Sequence, residues 1–313
     1  MIAVIGAGNW GRNLVTTFSK LEALTAVVEV SEELRTKLAE DYPGVDLYPD
    51  YSALLTSDEV KAVAIATPAP THHAVAKALL EAGKDVFVEK PMTMTVAEAE
   101  DLVEIAEKND RVLMVGHLLM YQPAIGKIKS LIDEGVVGEV FTIHQERKKL
   151  GRARKIENVL WSFGVHDVAV LLHLVGEAPI KVDAFGHSGL QPELGIEDDV
   201  YLHLCFASGV QAHLHNSWLW PENRRCLTIV GSRGVLVYNE VEQTVKLHRQ
   251  DIDPETLEVR NDGEEVVHEG AKQPLEIEVA HFLSCIETRQ TPKSDGHSGL
   301  EVIRILEKAK IKE

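Results

Sequence analysis

The first half of the chain alternates short apolar runs with segments whose apolar residues recur at helical spacing. Such runs predict buried strands, and apolar positions three or four residues apart predict amphipathic helices. The predicted strands cover residues 2–5, 25–30, 45–47, 62–66, 86–88 and 112–115, and the main helices between them cover 12–21, 32–41, 72–82 and 96–108. Strictly alternating strands and helices are typical of a parallel sheet with right-handed crossovers.

The second half has a different pattern, in which apolar and polar residues alternate within single strands. Residues 200–206 and 210–214 alternate around a short turn, which predicts a hairpin with one aliphatic face. The other face would carry Tyr201, His203, Cys205, Gln211, His213 and His215. The change of pattern predicts two domains, residues 1–118 and residues 119–313.

A glycine turn, 6–11, joins the first predicted strand to the first predicted helix. In a strand–turn–helix unit that binds a dinucleotide, the first glycine makes the tight turn and the second lets the backbone approach the pyrophosphate. The third glycine lets helix and strand pack closely, and the helix N-terminus attracts phosphates. The turn contains Gly6, Gly8, Asn9, Trp10 and Gly11, and we expect these residues to bind a dinucleotide cofactor.

Glu29 ends the second predicted strand, at the place where an acidic residue meets the adenine ribose hydroxyls in dinucleotide-binding units. A carboxylate there repels a 2'-phosphate, so NAD is the predicted cofactor and NADP is less favoured. Ser31 and Arg35 lie nearby and weaken that preference. The alternative is that Glu29 simply ends a strand.

The segment 83–92 runs from a glycine through an apolar strand into Glu89, Lys90 and Pro91. Proline fixes φ and cannot donate to a sheet, so the strand stops there. Lys90 is thereby placed at the carboxyl end of a parallel strand, the edge where open α/β sheets bind ligands. The alternative is a solvated lysine before a turn.

The loop that begins with Thr67 and Pro68 follows another predicted strand at the same edge. Its two prolines forbid helix before Thr71, and His72 opens the following helix. We therefore expect this loop to lie beside the glycine turn, and we expect Thr67, Pro68, His72, Glu89 and Lys90 to bind the cofactor with it.

Composition limits the partners and the setting of the chain. The chain has 313 residues, is 45% hydrophobic and 26% charged, and carries a net charge of -17, which argues against a nucleic-acid partner. Its three cysteines fit neither a disulfide framework nor a metal site. The lack of a basic leader and of any membrane-spanning apolar run predicts a cytoplasmic protein without a membrane partner.

Taken in this order, the motifs resemble the Gfo/Idh/MocA oxidoreductases. The residues that carry the likeness are the turn 6–11, Thr67-Pro68 with His72, Ala82-Gly83-Lys84, Glu89-Lys90-Pro91, Tyr121-Gln122-Pro123, 135–140 and Ser294-Asp295-Gly296. The resemblance implies an α/β fold: an N-terminal Rossmann dinucleotide-binding domain and a C-terminal α/β domain with a mainly antiparallel open sheet. It also implies hydride transfer at a sugar-like polyol, with Lys90 touching the nicotinamide ribose and the reacting hydroxyl.

His166 matches the family histidine, but its surroundings depart from the family pattern. Ser162 stands where the family has an aspartate, and Ala169 stands where a second aspartate often follows. Asp167 is the candidate to orient His166, and Lys90, His166 and Asp167 are the predicted catalytic residues. Histidine titrates near neutrality and suits a base or relay. A structural histidine remains the alternative.

The remaining candidates concern the substrate. The basic loop with Arg152 and Arg154, the approach from Asn158 to Trp161 and His166-Asp167 without the later aspartate are similar to the nucleotide-sugar branch, which oxidises C3 of UDP-N-acetylglucosamine or its uronic acid. The arginines at the strand start beside Trp220 are further candidates to bind phosphate. Predicted substrate residues are Tyr121, Arg152, Arg154, Asn158, Trp161, His166 and Arg225. The alternatives are a free-sugar or inositol dehydrogenase, a cofactor-binding protein with little turnover, and an enzyme that uses NAD transiently for glycoside hydrolysis.

The polar face of the predicted hairpin permits two interpretations. Three histidines on adjacent strands could hold zinc, but no carboxylate or cysteine completes a ligand set, and we predict no metal. A half-polar face with aromatic side chains favours packing against a second subunit. We therefore expect a homodimer or homotetramer formed through the C-terminal sheet.

Overall fold

The computed structural model describes residues 1–151, 153–253, 255–270, 273–309 and 311–312. The strands are β1 (Ile2–Ile5), β2 (Leu24–Val28), β3 (Asp46–Tyr48), β4 (Ala62–Ile65), β5 (Asp85–Glu89), β6 (Leu113–Gly116), β7 (Val140–Lys148), β8 (Pro179–His187), β9 (Asp199–Phe206), β10 (Gln211–Ser217), β11 (Arg224–Gly231), β12 (Gly234–Asn239), β13 (Thr244–Ile252), β14 (Val259–Glu269) and β15 (Ile311–Lys312). The helices are α1 (Gly11–Lys20), α2 (Glu32–Asp41), α3 (Ser52–Leu55), α4 (His72–Glu81), α5 (Val96–Lys108), α6 (Pro123–Asp133), α7 (Val165–Val175), α8 (Pro274–Thr288) and α9 (Gly296–Lys308).

The chain divides into two compact units, and the first consists of Met1–Leu118 and Leu275–Arg304. Its sheet has the order β3-β2-β1-β4-β5-β6, and the neighbouring strands are parallel. Every residue of β1, β4 and β5 is buried, as expected for strands that helices cover on both faces. The predicted Rossmann-type parallel sheet is confirmed.

Most of α8 and of α9 belongs to the first unit, whereas the sequence pattern predicts a second domain of residues 119–313 that includes both helices. Contacts far apart in sequence hold them there. The backbone N–H of Val115 donates to the Ser294 carbonyl oxygen at 2.7 Å, and the Ser294 hydroxyl donates back to the Val115 carbonyl oxygen at 2.7 Å. Arg289 donates to Asp85 at 2.8 Å. A linear division of the sequence does not capture this return of the chain.

The second unit contains Leu119–Pro274 and Ile305–Glu313. Its sheet has the order β14-β13-β12-β11-β7-β10-β9-β8-β15. Among the described strands of this sheet, only the pairs β7–β10 and β8–β15 are parallel, so the sheet is mainly antiparallel, as predicted. The predicted hairpin is β9–β10, in which His203 pairs with His213.

The sequence analysis did not predict β8. This strand pairs with β9, but Ile180 and Phe185 are exposed while Ala184 is buried. Apolar residues on both faces hide the period of two by which a half-buried strand is recognised.

None of the helices in the described ranges combines the length and the apolar character that crossing a membrane requires.

Candidate functional site

The glycine turn of the first unit meets the three requirements of a dinucleotide-binding loop. Gly6 has φ +87°, and a Cβ atom at Gly11 would lie 1.8 Å from the Gly6 carbonyl oxygen, so both positions require glycine. A Cβ atom at Gly8 would have open space around it, which leaves the backbone accessible. Helix α1 begins directly after Trp10, whose side chain does not cap it. The helix N-terminus is therefore open to a phosphate.

Glu29 ties the end of β2 to the glycine turn. Its carboxylate accepts from the backbone N–H of Ala7 at 2.8 Å and from that of Ser31 at 3.0 Å, and the residue is only 7% exposed. Arg35 donates to the Glu29 carbonyl oxygen at 2.6 Å. A carboxylate offers about four lone-pair sites. Glu29 thus retains acceptor capacity for a ribose hydroxyl while it fixes the turn.

Glu89 connects the glycine turn to the end of β5. The indole N–H of Trp10 donates to the Glu89 carboxylate, and the backbone N–H of Lys90 lies 3.3 Å from the same carboxylate. Asn9 and Trp10 are exposed, and Lys90 is half-buried. The predicted residues of the turn, Glu89 and Lys90 are thereby brought to one edge of the parallel sheet.

Lys90 influences the buried groups around it. His117 follows β6 and is 1% exposed, and burial together with the charge of Lys90 lowers the pKa of His117 to about 3. Burial also raises the pKa of Glu89 to about 7, against the opposing influence of Trp10 and Lys90. The amine of Lys90 therefore faces a neutral imidazole and a carboxyl group that titrates near neutral pH.

His72 does not have the geometry of the predicted cofactor contact. It is 1% exposed, with Nδ1 at 2.8 Å from the Pro91 carbonyl oxygen and Nε2 at 2.8 Å from the Thr67 carbonyl oxygen. Burial lowers the pKa of His72, although the two carbonyl oxygens favour the charged ring. Both ring nitrogens thus hydrogen-bond to backbone carbonyl groups. His72 thereby connects the loop after β4, which contains Thr67 and Pro68, to the loop after β5.

In the second unit, His166 is the second residue of α7, which follows a π-helical turn, Leu160–Gly164. Such turns are rare and occur often at functional sites. A Cβ atom at Gly164 would lie 2.5 Å from a Leu160 methyl group and 2.6 Å from the Asn216 amide oxygen. The turn therefore packs directly against β10, and this close packing sets the position of His166.

Asp167 belongs to a buried network, and its predicted catalytic role has no support in its contacts. The side chain is 1% exposed. Its carboxylate accepts from Arg147 Nε at 2.9 Å, from the Asn216 amide at 2.8 Å and from the Gln145 amide at 3.2 Å. These three donors account for its position in the core of the second unit.

Several of the predicted substrate residues contact other protein groups. Asn158 donates to Glu197 at 2.8 Å and accepts from the Trp161 backbone at 3.0 Å, so it fixes the start of the π-helical turn. Arg225 donates to Glu240 at 3.0 Å, and Arg154 lies 3.8 Å from Glu157. Trp161 is half-buried and Tyr121 is buried. Arg152 lies outside the described residues.

The polar face of the β9–β10 hairpin extends onto β7. The Nδ1 atoms of His203 and His213 are 3.2 Å apart, and the His144 ring stacks on the His213 ring with centroids 4.9 Å apart. Tyr201 stacks on His215 at 3.9 Å. In the part of the chain that the structure describes, no group of three or more metal-ligating side chains has the arrangement of a metal site.

Sequence reasoning missed four buried charged or titratable residues of these two regions, namely His117, Arg147, Glu240 and Glu278. Glu278 had a recognisable signal, because it occupies a position on the apolar stripe of α8 beside Val279 and Phe282. An acidic residue on such a stripe indicates a buried carboxyl group.

Two family models match the chain. One describes an oxidoreductase family with an NAD-binding Rossmann fold and matches residues 1–117, and the other describes the Gfo/Idh/MocA C-terminal domain and matches residues 125–237. The chain belongs to the Gfo/Idh/MocA family. It is thus an oxidoreductase that uses a nicotinamide cofactor, and the predicted family is confirmed.

Several members of the Gfo/Idh/MocA family are similar along much of the chain. A UDP-N-acetylglucosamine 3-dehydrogenase from Acidithiobacillus ferrooxidans is 26% identical over 303 residues, which cover 96% of this chain and 93% of the relative. A solved structure of that enzyme has a TM-score of 0.85 and covers 98% of this chain and 95% of its own. An inositol 2-dehydrogenase from Pseudomonas savastanoi is 28% identical over 188 residues, 58% of this chain and 56% of the relative.

Proposed function

We propose that this oxidoreductase is an NAD-dependent dehydrogenase that transfers a hydride between a sugar hydroxyl carbon and nicotinamide. The observation that carries the reaction class is the grouping of the glycine turn, Glu29 and Lys90 at the carboxyl edge of one parallel sheet. The substrate that we propose is a UDP-N-acetylated hexose or its uronic acid, oxidised at C3, because the likeness to a UDP-N-acetylglucosamine 3-dehydrogenase extends over 96% of the chain.

Removal of a hydride from a carbinol carbon requires the hydroxyl proton to leave as well, so a base has to lie within hydrogen-bond reach of that oxygen. In our proposal Lys90 binds the reacting hydroxyl, and Lys90 and His166 share the uptake of its proton. The bound nicotinamide supplies the hydride acceptor. Trp10, Glu29 and the glycine turn hold the cofactor, and Glu89 fixes the backbone at Lys90. Ser162 replaces the family aspartate, which gives Lys90 a larger part in this proton transfer.

The proposed preference for NAD rests on Glu29. Its carboxylate is fixed by Ala7 and Ser31 at the end of β2, where it would lie against a 2'-phosphate. Arg35 does not offset this charge for a phosphate, because its guanidinium donates to the carbonyl oxygens of Glu29 and Val30.

Replacing Glu29 with serine is expected to reverse the discrimination between NAD and NADP. The variant loses the carboxylate that repels the 2'-phosphate and that binds the ribose diol. We expect kcat/KM for NAD to fall about 10-fold and the NADP-to-NAD ratio of kcat/KM to rise at least as much, since a charge-assisted contact contributes about 1.5–3 kcal/mol. Steady-state kinetics with both cofactors measure this. An unchanged ratio would remove Glu29 from cofactor selection.

The nucleotide part of the substrate requires donors that are not already committed. Arg154 is half exposed, and within the described ranges its guanidinium has only a long contact to Glu157, whereas Arg225 pairs with Glu240. Arg154 is therefore the better candidate for the diphosphate. Guanidinium groups bind phosphate oxygens in a bidentate manner, which supports this assignment.

A panel assay tests the proposed reaction. Absorbance at 340 nm is followed with NAD and UDP-N-acetylglucosamine, its uronic acid, free sugars and inositols. We expect turnover with the UDP-sugars, and UDP alone is expected to raise the Tm of the wild type but not that of Arg154→Met. Turnover only with inositol or free sugars would favour the polyol alternative, which the inositol 2-dehydrogenase likeness supports. NAD binding without turnover on any member would contradict the proposed activity.

We also propose that the open face of the second unit's sheet packs against a second copy of the chain. Tyr201 and Phe185 are directly paired across β8 and β9 on this face, and each is about half exposed, at 53% and 51%. Aromatic residues are enriched at protein interfaces. Light scattering of the purified protein measures the subunit count, and a monomer at micromolar concentration would contradict the proposal.

A further inference from the structure

The first unit contains a second buried carboxyl group, Glu278 on α8. The residue is 0% exposed, and neither carboxyl oxygen has a hydrogen-bond partner among the described residues. Val279 and Phe282 of the same helix are fully buried beside it. An ionised carboxylate without partners is very costly in an apolar environment, so Glu278 holds its proton.

The packing of α8 on β5 places Glu278 next to Glu89. Phe282 lies one helical turn after Glu278, and its ring packs against the Phe87 ring with centroids 5.7 Å apart. Phe87 and Glu89 are two residues apart on β5, so they point to the same face of the sheet. Glu278 and Phe282, one helical turn apart on α8, thus lie against Glu89 and Phe87, two residues apart on β5. Burial and repulsion from Glu89 both raise the pKa of Glu278.

Glu89 is enclosed by groups that define its charge. A Cβ atom at Gly116 of β6 would lie 3.0 Å from the Glu89 carboxylate, so β6 closes one side of it. The titratable groups that interact with it are Lys90 at the end of the same strand and Glu278 from α8, and Lys90 in turn interacts with His117 after β6. Of these, only Lys90 supplies a positive charge, because His117 is neutral at neutral pH.

We propose that Glu89 and Glu278 form a buried carboxyl pair with a single negative charge. Glu278 is a positioning residue that keeps this charge on Glu89. The Glu89 carboxylate in turn holds Trp10 and Lys90 for the cofactor. A protonated Glu278 places no second negative charge beside the Glu89 carboxylate. The inference rests on the proposed cofactor role of the glycine turn and Lys90. It adds α8, more than 150 residues further along the chain, to the support of that site.

The charge of the pair links cofactor binding to pH. The pKa of Glu89 is raised to about 7 by burial, so the carboxylate forms as the pH rises through this value. Only then does Trp10 donate to a charged acceptor, a contact about twice as strong as a neutral one. The affinity for NADH is therefore expected to increase about 5- to 10-fold between pH 5.5 and 8.5.

The experiment is a fluorescence titration of the full-length protein with NADH from pH 5.5 to 9. Glu89→Gln is expected to bind weakly and to flatten the pH dependence. Glu278→Gln should retain the wild-type midpoint, because a neutral amide replaces a neutral acid. Glu278→Leu removes the polar neighbour of Glu89, so its midpoint should rise by about one unit and its affinity at pH 7 should fall several-fold, recovering near pH 9. Glu276→Gln, an exposed position of α8, is the matched control.

Three results would overturn the inference. A lower midpoint in Glu278→Gln would show that Glu278 is charged in the wild type, and this arm decides alone if Glu278→Leu does not fold. An unchanged midpoint in a folded Glu278→Leu would show that the two groups do not interact. A wild-type pH dependence in Glu89→Gln would place the charge elsewhere. Because the readout is NADH binding, a failure of sugar turnover contradicts the proposed reaction and leaves the carboxyl pair standing.

Discussion

Replacing Lys90 with methionine is expected to lower kcat for sugar oxidation by about 10²- to 10⁴-fold, the usual contribution of a positioned proton-transfer group. Methionine keeps an apolar stem of similar length and removes the amine. The expectation follows from where β5 ends: Lys90 stands directly after a fully buried strand, at the ligand-binding edge of the sheet. The charge of Lys90 acts on both His72 and His117, so its amine lies close to the buried residues of that edge.

Stopped assays at saturating NAD and sugar measure this change, and NADH binding shows whether the cofactor site is intact. Lys77→Met is the control, because Lys77 belongs to the same unit and pairs with Asp101 at 3.0 Å on the surface of α4 and α5. We expect the control to retain wild-type kcat. A Lys90→Met enzyme with near-full turnover on its true substrate would remove Lys90 from the reaction.

His166→Asn is the companion variant, and the two replacements separate the roles that we propose. If Lys90 carries much of the proton transfer because Ser162 replaces the family aspartate, His166→Asn should lower kcat less than Lys90→Met does. The double variant should then fall little below Lys90→Met, because residues that act as a unit are not additive. An equal and additive loss would indicate two independent roles.

The parts of the site that sequence analysis predicted are those governed by local rules. Gly6 needs a positive φ, and Gly11 tolerates no Cβ atom against Gly6, so each glycine follows from its position in a strand–turn–helix unit. Lys90 follows from the proline that stops β5. The fold class was predictable for the same reason, because the periods of the apolar residues report strands and helices directly.

The parts that sequence analysis missed depend on partners far apart in the chain. Arg147 and Glu240 are 93 residues apart, and no local pattern pairs them. Asp167 was assigned to His166 because it is adjacent in sequence, whereas the fold brings it to Arg147 and Asn216. Arg225 is a predicted phosphate ligand because of its place at a strand start beside Trp220, and the fold places Glu240 beside it. Charged residues acquire their partners from the topology of the sheet.

Replacing Arg147 with methionine is expected to destabilise the protein by about 3–5 kcal/mol, because the change leaves buried Asp167 without its counter-charge and leaves Glu240 with Arg225 alone. Arg147 is 7% exposed. It donates to Asp167 at 2.9 Å and to both oxygens of Glu240 at 3.1 and 2.7 Å. A bidentate contact of this kind is among the strongest hydrogen-bonded arrangements in proteins. Burial alone would raise the pKa of Glu240, but Arg147 and Arg225 hold it below its ordinary value.

The pH dependence provides a second test of the same contact. The pKa of Glu240 is lower in the folded protein than in the unfolded chain. The stability that Glu240 contributes is therefore fully present above the ordinary glutamate pKa of about 4.3, and it is lost as the pH falls through the pKa of the folded state. The variant should therefore differ most from the wild type near pH 8 and less near pH 4, where its carboxyls can protonate. Urea denaturation followed by circular dichroism measures both differences.

Arg225→Met is the control: its side chain is one-third exposed and makes one contact to Glu240, so we expect a loss of about 1 kcal/mol. Adding Glu240→Leu to Arg147→Met should restore part of the stability, because it removes a buried carboxylate whose remaining charged partner, Arg225, is one-third exposed. An Arg147→Met protein as stable as the wild type at pH 8 would show that the network contributes nothing to folding.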